Sequence, residues 1–348
     1  MNVYIDRDIF LNYGTPEVSG EDFNELLGHV PYRCSISTNQ SIDPTFLTTM
    51  DHLDKMRFLN LLQRCNEMPH SSHKSDCIVT MDGESELTER IFSLSEMCEY
   101  VSFGARIVLE DATNDGYFIK AIEHFFENTM DFSKLLSKGF VEIDNAGGSG
   151  AKRRIGEFID IHKGKPKFLR CLVIVDGDCR YEGDTEYENY DKQLDEKKYF
   201  EDRGVTYHVL KKRAQENYMP DDVFDNNRHV FGDDWVNAYL RLTPKQKDYY
   251  YTAGGFLKDI PKANKEKEEY EFDKLPQGIQ NLFCDVSPGN YQHLLHGPNL
   301  HGSFKSEFPK FFNDPHICKD ALLYRVNHPE SVDPDELMHI VEEIRQLL

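Results

Sequence analysis

The middle of the chain alternates short apolar runs with stretches in which apolar residues recur at helical spacing. Four runs are short enough to be strands, at 106–109, 140–143, 168–175 and 205–210. Helical spacing follows the first three of them, at 117–126, 151–162 and 191–202. Strands that alternate with helices form a parallel sheet covered by helices. The pattern therefore predicts an α/β fold with a parallel-sheet core over residues 105–220.

The flanking regions have different patterns. Residues 1–104 are mixed, with a strand predicted at 3–5, amphipathic helices at 45–64 and 85–99, and a polar loop at 66–76. Residues 221–348 have mostly helical patterns. Within them, the charged run 262–271 is interpreted as a solvated helix face or loop. We therefore expect three regions: a mixed α/β region at 1–104, an α/β domain at 105–220 and a helical region at 221–348.

Composition limits the possible functions. The 348 residues include 40 Lys and Arg against 61 Asp and Glu, a net charge of −21 that argues against nucleic-acid binding over the whole surface. No apolar run approaches the roughly 20 residues of a membrane-spanning helix, and the first segment lacks the basic start of a signal peptide. Eight widely spaced cysteines then predict reduced thiols. We expect a cytoplasmic protein without a membrane partner.

Acidic residues stand where the predicted parallel strands end. Glu110 closes the first strand, Asp176 and Asp178 follow the third, and Glu216 follows the fourth. Functional groups of parallel sheets gather at the carboxyl ends of the strands, and positions i and i+2 share a face. Mg²⁺ binds such carboxylates together with substrate phosphates. Four acids at three strand ends predict a divalent metal site, whereas single acids at such places usually cap helices or stay solvated.

The motifs RIVLEDATNDGYFI, FVEIDNAGGSG and LVIVDGDC occur in this order, and together they resemble a Toprim domain. This Rossmann-like fold is shared by topoisomerases, primases, recombination mediators and nucleases of the OLD (overcoming lysogenization defect) family. The resemblance implies that Glu110, Asp176 and Asp178 hold two Mg²⁺ or Mn²⁺ ions. The later KKRAQENYMP is similar to a segment of OLD-like nucleases that primases and topoisomerases lack. It implies that Glu216 is a further ligand and favours the nuclease branch.

Two positions depart from the family pattern, and one late segment extends the resemblance. Asp111 stands where the family usually has glycine, and the acid that begins the next helix is Asp115, one residue later than usual. A one-residue insertion accounts for this and makes Asp115 a candidate metal ligand of open role. The segment LHGSFKSEFPKFF is similar to the late Lys-x-x-Phe helix of OLD-like nucleases. It implies that Lys305 stabilises charge at the scissile phosphate, the alternative being a surface lysine.

A glycine-rich turn and a basic stretch are candidates for phosphate binding. The turn contains Gly147 and Gly148 and opens a predicted helix, where backbone N–H groups can approach an anion. A plain tight turn is the alternative. Residues 151–170 hold seven basic residues against two acids. Its first three bases, Lys152, Arg153 and Arg154, are predicted to contact a nucleic-acid backbone, and a solvated helix face is the alternative.

Two further patterns give weaker indications. Cys65, His70, His73 and Cys77 are residue types that bind Zn²⁺, but their spacing matches no common zinc module. A polar loop is the favoured interpretation, and zinc is not expected. The N-terminal VYIDRDIFLN resembles the first strand of PIN-domain nucleases, which would make Asp6 a metal ligand. The other acids of that pattern are not found, so a PIN-like origin of residues 1–104 stays open.

The sequence contains no G-x-x-x-x-G-K-[ST] phosphate-binding loop, whereas OLD proteins carry an ATPase on the same chain. The resemblance therefore implies a stand-alone Toprim effector that works with a separately encoded ATPase in antiphage defence. We expect a metal-dependent endonuclease that hydrolyses DNA or RNA. The alternatives are a catalytically silent Toprim-like scaffold and an enzyme of nucleotidyl transfer, similar to primases or topoisomerases. Substrate, trigger and oligomeric state stay open.

Overall fold

Two parallel four-stranded sheets form the framework of the protein in a computed structural model. It describes residues 1–29, 34–37, 47–48, 50–67, 76–83, 90–126, 132–147, 150–162, 164–300 and 303–348. The first sheet has the order β2-β1-β3-β4 and consists of β1 (Asn2–Ile5), β2 (Ser35–Ser37), β3 (Cys77–Val79) and β4 (Ile91–Phe92). The second has the order β6-β5-β7-β8 and consists of β5 (Ala105–Leu109), β6 (Val141–Asn145), β7 (Cys171–Val175) and β8 (Thr206–Val209). The predicted α/β fold is confirmed.

Helices connect and cover these strands. Around the first sheet they are Arg7–Leu11, Gly20–Gly28, His52–Glu67 and Leu94–Ser102. Around the second sheet they are Asp115–Phe126, Phe132–Ser137, Ala151–Ile161 and Tyr190–Glu201, with a 3₁₀ turn at Pro166–Phe168. The remaining α-helices are Asp221–Asn226, Arg228–Phe231, Asp233–Leu240, Pro244–Tyr249, Lys262–Lys265, Gln277–Leu282, Pro288–Leu294, Phe304–Glu307, Lys319–Val326 and Glu336–Gln346. The remaining 3₁₀ helices are Gln215–Tyr218, Phe256–Lys258, Phe272–Lys274 and Phe308–Asn313.

The second sheet is buried on both faces, as its continuous apolar strands require. One face packs Ile107 and Ile174 against the helix Asp115–Phe126 and against the helices beyond residue 221, within one core. The other face packs Val108 and Val173 against the helices Ala151–Ile161 and Tyr190–Glu201. The chain leaves β5 toward β6 and then returns across it to β7. A crevice therefore opens between the carboxyl ends of β5 and β7, where such sheets bind ligands.

The first sheet shows where the predicted elements of residues 1–104 need correction. The predicted strand at 3–5 is confirmed as β1. The predicted helix 85–99 is wrong at its start, because residues 91–92 pair with β3 and the helix begins after them. Ser93 and Glu96 form a capping box that fixes this beginning. The predicted start of helix 45–64 lies partly outside the described residues, and that helix runs over His52–Glu67.

Contacts of residues 168–170 join the two sheets and the C-terminal helices. Phe168 is buried in the core of the first sheet, although it lies only three residues before β7. The guanidinium of Arg170 donates hydrogen bonds to the carbonyl of Leu347 at 2.6 and 2.9 Å. It also donates to the carbonyl of Phe103 at 3.3 Å. Within the described ranges, no helix has both the length and the apolar character needed to cross a membrane.

Candidate metal-binding active site

Glu110 and Asp176 follow directly after the two central strands of the second sheet. β5 ends at Leu109 and β7 at Val175, and the two strands pair in parallel with Val108 opposite Val173. In this register the two acids leave adjacent strands within one residue of the same level. They therefore stand on either side of the crevice at the carboxyl edge, as the strand pattern predicts.

Gly177 allows the loop after β8 to reach this edge. A Cβ atom at residue 177 would lie 2.3 Å from the carbonyl oxygen of Lys212 and 2.4 Å from that of Leu210. Any side chain there would push the two loops apart. The N–H of Asp178 then donates to the carbonyl of Arg213 at 2.7 Å. The glycine of the Asp-Gly-Asp motif thus brings the segment that carries Glu216 beside both aspartates.

Asp178 adopts a backbone conformation that L-residues seldom use. Its φ is +57°, in the left-handed region, where aspartate is tolerated better than most side chains. Its Oδ2 accepts a 2.7 Å hydrogen bond from Nδ2 of Asn189. Gln193, one turn further along the same helix, donates to the carbonyl of Asp176 at 2.9 Å. Polar residues of the helix after β7 thus hold the Asp-Gly-Asp turn.

Asp111 and Asp115, whose roles the sequence left open, differ in what they contact. Asp111 accepts hydrogen bonds from Thr113 and Asn114 and so closes the turn before the helix Asp115–Phe126. Asp115 accepts from the N–H of Asp111 at 2.8 Å and from Nε2 of Gln215 at 2.6 Å. Asp111 is therefore a turn residue, whereas Asp115 lies against the loop that carries Glu216.

The carboxylates are close enough to disfavour one another's charge. Burial, and then the charges of Glu216 and Asp115, raise the pKa of Asp176 well above its usual range. Burial also raises the pKa of Glu216, and the charge of Asp115 adds to this rise. For Glu110, burial and the nearby charge of Asp178 raise the pKa. The five side chains, Glu110, Asp115, Asp176, Asp178 and Glu216, form one group that we call the acid cluster.

Each member of the acid cluster is half-buried, so it is partly desolvated yet reachable from solvent. Burial raises the pKa of both Asp115 and Glu216, and the charge of Lys305, which is exposed on the short helix Phe304–Glu307, partly offsets that rise. Lys192 acts in the same direction on Glu110. The structure thus brings all five predicted metal ligands and Lys305 into electrostatic contact.

The loop that carries Glu216 is held by buried polar contacts. Nζ of Lys212 donates to Oδ1 of Asp248 at 2.5 Å, and the Arg213 guanidinium binds Asp259 at 2.6 and 2.8 Å. Lys212 and Asp248 have side chains with no solvent exposure. The two bases of this motif therefore fix the loop through ion pairs with Asp248 and Asp259. Asn217 adds hydrogen bonds to the carbonyls of residues 247 and 250.

The donor set suits a hard divalent cation such as Mg²⁺ or Mn²⁺, because every candidate ligand atom is an oxygen. A buried polar atom gives independent support: Oε1 of Gln215 has no hydrogen-bond partner among the described residues, although this residue contacts both Asp115 and Asp176. Among the described side chains, no three His, Cys, Asp or Glu residues converge closely enough to hold a metal ion as they stand. Hydrogen bonds from Gln215 to Asp115 and Asp176, and from Asn189 to Asp178, instead hold these repelling carboxylates in place.

The predicted basic contact at 152–154 is paired within the protein. Lys152 binds Asp195, and Arg153 binds Glu157. Arg154 binds Asp144 at 2.8 Å and Glu157 at 2.8 Å. Little free positive charge is left, because each of the three bases is paired with a carboxylate. The carboxylates belong to other elements or to the next turn of the same helix. A contact of these residues with nucleic acid stays a prediction, and the positive charge available for it is smaller than the sequence suggests.

The predicted glycine cradle is described only in part, because residue Gly148 lies outside the described residues. The N–H of Gly147 donates to Oδ1 of Asn145 at 2.8 Å and to the carbonyl of Glu110 at 3.2 Å. Gly147 has a φ of +66°, which explains the glycine. Its N–H is engaged within the turn, so this part of the segment fits the tight-turn alternative.

The two weaker sequence patterns gain little from the structure. His70 and His73 lie outside the described residues, as does the side chain of Cys65, so the Cys/His pattern stays a prediction. Cys77 is buried in β3, and burial raises the pKa of its thiol to about 11. Asp6 follows β1 and caps the helix Arg7–Leu11 through the N–H of Asp8. This cap accounts for Asp6 without a metal.

Sequence reasoning missed the amide side chains that hold the acids. Gln215 precedes Glu216, and Asn189 and Gln193 lie where the helix after β7 begins. Their positions beside the motif were the available signal, because amides next to predicted ligands are common hydrogen-bond partners. No family model, no curated protein and no solved structure matches this chain. The resemblance to Toprim domains therefore rests on the sequence motifs and stays a hypothesis.

Proposed function

We propose that the protein is a metal-dependent nuclease that hydrolyses phosphodiester bonds of DNA or RNA. The observation that supports the proposal most is that the acid cluster and Lys305 lie within electrostatic range of one another at the crevice between β5 and β7. When bound, divalent ions supply an activated water and stabilise the leaving oxygen. Glu110, Asp176, Asp178, Glu216 and Asp115 would hold them, while Lys305 offsets negative charge next to Asp115 and Glu216.

The acid cluster favours an enzyme over a silent scaffold. Placing mutually repelling carboxylates in a half-buried site destabilises the fold, and such perturbed groups concentrate at functional sites. A scaffold that needed only the shape of the fold would gain stability from uncharged residues there. Nucleotidyl transfer, as in primases or topoisomerases, uses the same type of metal site. It is distinguished from hydrolysis by the products of the reaction.

The test is incubation of the purified protein with supercoiled plasmid, single-stranded DNA and tRNA, each with Mg²⁺, Mn²⁺ or EDTA. We expect cleavage of at least one substrate with metal and none with EDTA. Asp176→Asn is the inactive control. Relaxation of the plasmid without breaks, or extension of a primed template with nucleotides, would point to nucleotidyl transfer. Binding without any metal-dependent reaction would favour the scaffold.

We further propose that an ATPase on another chain gates this nuclease in antiphage defence. An unrestrained nuclease is toxic to its host, and the charge of −21 repels nucleic acid until a complex presents the substrate. The test is co-expression with the neighbouring genes, purification of this chain, and cleavage assays with and without the co-purified protein. Full activity of a chain that associates with nothing would contradict gating and leave the metal site untouched.

A further inference from the structure

An open cleft of about 470 Å³ begins at Asp178, on the border of the acid cluster. It runs between the segment that follows β7 and the segment Lys258–Lys265. Apart from the ion-paired Arg180, Arg213 and Asp259, the charged residues on the two walls have opposite sign. Asp178, Glu186 and Glu188 line one wall, and Lys258, Lys262 and Lys265 line the other. An acidic protein therefore places three lysines on one wall of the cleft that leads to its candidate active site.

The three lysines differ from the other cations of the cleft because they carry free charge. Arg180 is paired with Asp184 at 2.7 Å, and Arg213 is paired with Asp259. None of the three lysines forms an ion pair with an acid in the described part of the chain, whereas Lys152, Arg153 and Arg154 all do. Among the described cations that line the cleft, the unpaired positive charge is thus concentrated on this wall.

The lysines also lie close to one another. Nζ of Lys265 donates to the backbone carbonyl of Lys258 at 3.0 Å. Burial, and then the like charge of Lys258, lower the pKa of Lys265. Lys262 and Lys265 are three positions apart on one helix, a spacing that places them on the same side. Like charges gathered in this way repel one another, and a bound polyanion relieves that repulsion.

We propose that this lysine wall, Lys258, Lys262 and Lys265, binds the phosphate backbone of the nucleic acid whose scissile phosphate lies at the acid cluster. The proposal rests on the proposed nuclease function and adds the surface that receives the substrate. The opposite wall repels phosphates through Glu186 and Glu188, so it confines the backbone to the lysine side. The acid cluster accepts a phosphate only together with divalent cations.

The sequence alone does not separate these lysines from their neighbours. Residues 262–271 contain four acids and three lysines, which favours a solvated face. In the structure, Lys262 and Lys265 line the cleft, whereas Lys267 is exposed and does not. The position of Lys267 next to the wall makes it a control for the charge of the segment.

The test compares two triple variants that each lose three positive charges. One changes Lys258, Lys262 and Lys265 to Ala, and the other changes Lys197, Lys198 and Lys267, which are exposed and outside the cleft. Binding to 20-nucleotide single-stranded and duplex oligonucleotides is measured between 50 and 300 mM KCl, with Ca²⁺ replacing Mg²⁺. We expect the wall variant to bind about tenfold more weakly, and the magnitude of its slope of log K against log salt concentration to fall by about 2. The control variant should change little in both.

The lysine-wall proposal would be overturned by equal salt slopes for the two variants. It would also be overturned if the wild-type protein bound poly-glutamate and neither oligonucleotide. Lys262→Glu changes one exposed residue, so it repeats the test without substituting three residues of the segment at once. Lysine-dependent binding without cleavage would support the wall and contradict the nuclease. Cleavage by the wall variant with an unchanged KM would contradict the wall and leave the nuclease standing.

Discussion

Gln215 donates a hydrogen bond of 2.6 Å from its side-chain amide to Asp115, which lies 100 residues earlier in the chain. The backbone N–H of Gln215 donates at the same time to Oδ1 of Asp176 at 3.1 Å. One residue thus connects two carboxylates that follow different strands. Because Glu216 is the next residue, the spacing of three proposed ligands depends on this contact.

Changing Gln215 to Leu should therefore weaken metal binding as well as stability. We expect a loss of about 1–2 kcal/mol, because the half-buried carboxylate of Asp115 loses the hydrogen bond from Gln215. The Mn²⁺ concentration for half-maximal cleavage should rise severalfold. Gln246→Leu is the matched control, since that amide donates to Leu282 and Asp285 away from the acid cluster. If both variants show the same metal dependence, Gln215 has only a structural role.

Asp176→Asn should abolish cleavage and stabilise the metal-free protein. The amide keeps the shape of the side chain and can still accept from the N–H of Gln215, but it removes one charge from a group of repelling carboxylates. We expect activity to fall at least about 100-fold and the melting temperature in EDTA to rise. Asp234→Asn, at an exposed position, controls for net charge. Wild-type activity in Asp176→Asn would contradict the proposed metal site.

Asp248→Asn should destabilise the protein strongly. Asp248 accepts hydrogen bonds from Lys212 at 2.5 Å and from Arg325 at 2.8 Å, and none of the three side chains is more than 4% exposed. Loss of its charge leaves two buried cations without a counter-ion, at a cost of about 3–5 kcal/mol. Denaturant unfolding measures this cost. Asp225→Asn, which loses an exposed pair with Arg228, should change stability by less than about 1 kcal/mol.

His208 should make stability depend on alkaline pH. Burial alone would lower its pKa, but hydrogen bonds to Glu336 at 3.1 Å and Glu343 at 2.9 Å raise the pKa to about 9. A group whose pKa is raised by folding stabilises the protein fully below the unfolded value of about 6.5, and this stabilisation is lost as pH rises through 9.

The measurement is denaturant unfolding of the wild type and of His208→Gln at pH 6, 7.5 and 9.5. Subtracting the two curves of unfolding free energy against pH cancels the contribution of the groups that titrate in both proteins. We expect the difference to be on the order of 3 kcal/mol at pH 6 and to shrink toward pH 9.5. A difference that stays constant over this range would show that His208 is not charged in the folded protein.

The sequence predicted the second sheet well, because β5 and β7 are continuous apolar runs that a fully buried strand requires. It missed β2, β3 and β4, which have only two or three residues and too little pattern to detect. The acids at the strand ends were predictable from their order along the chain. The lysine wall was not, since neighbouring acids hide it in the composition. The pairing of Arg154 with Asp144 was equally invisible, because the partner lies on another element.

The contacts that hold the loop of Glu216 also limit which segments of the gene recombination can exchange. A fragment ending at residue 220 would carry every proposed carboxylate ligand, yet it would lack Asp248, Asp259 and Glu336, which neutralise or hydrogen-bond Lys212, Arg213 and Tyr218. Lys212 and Arg213 would then lose the ion pairs that hold the loop of Glu216. The segment that carries the proposed ligands therefore depends on residues beyond it. Recombination that exchanged this segment would have to transfer Asp248, Asp259 and Glu336 as well.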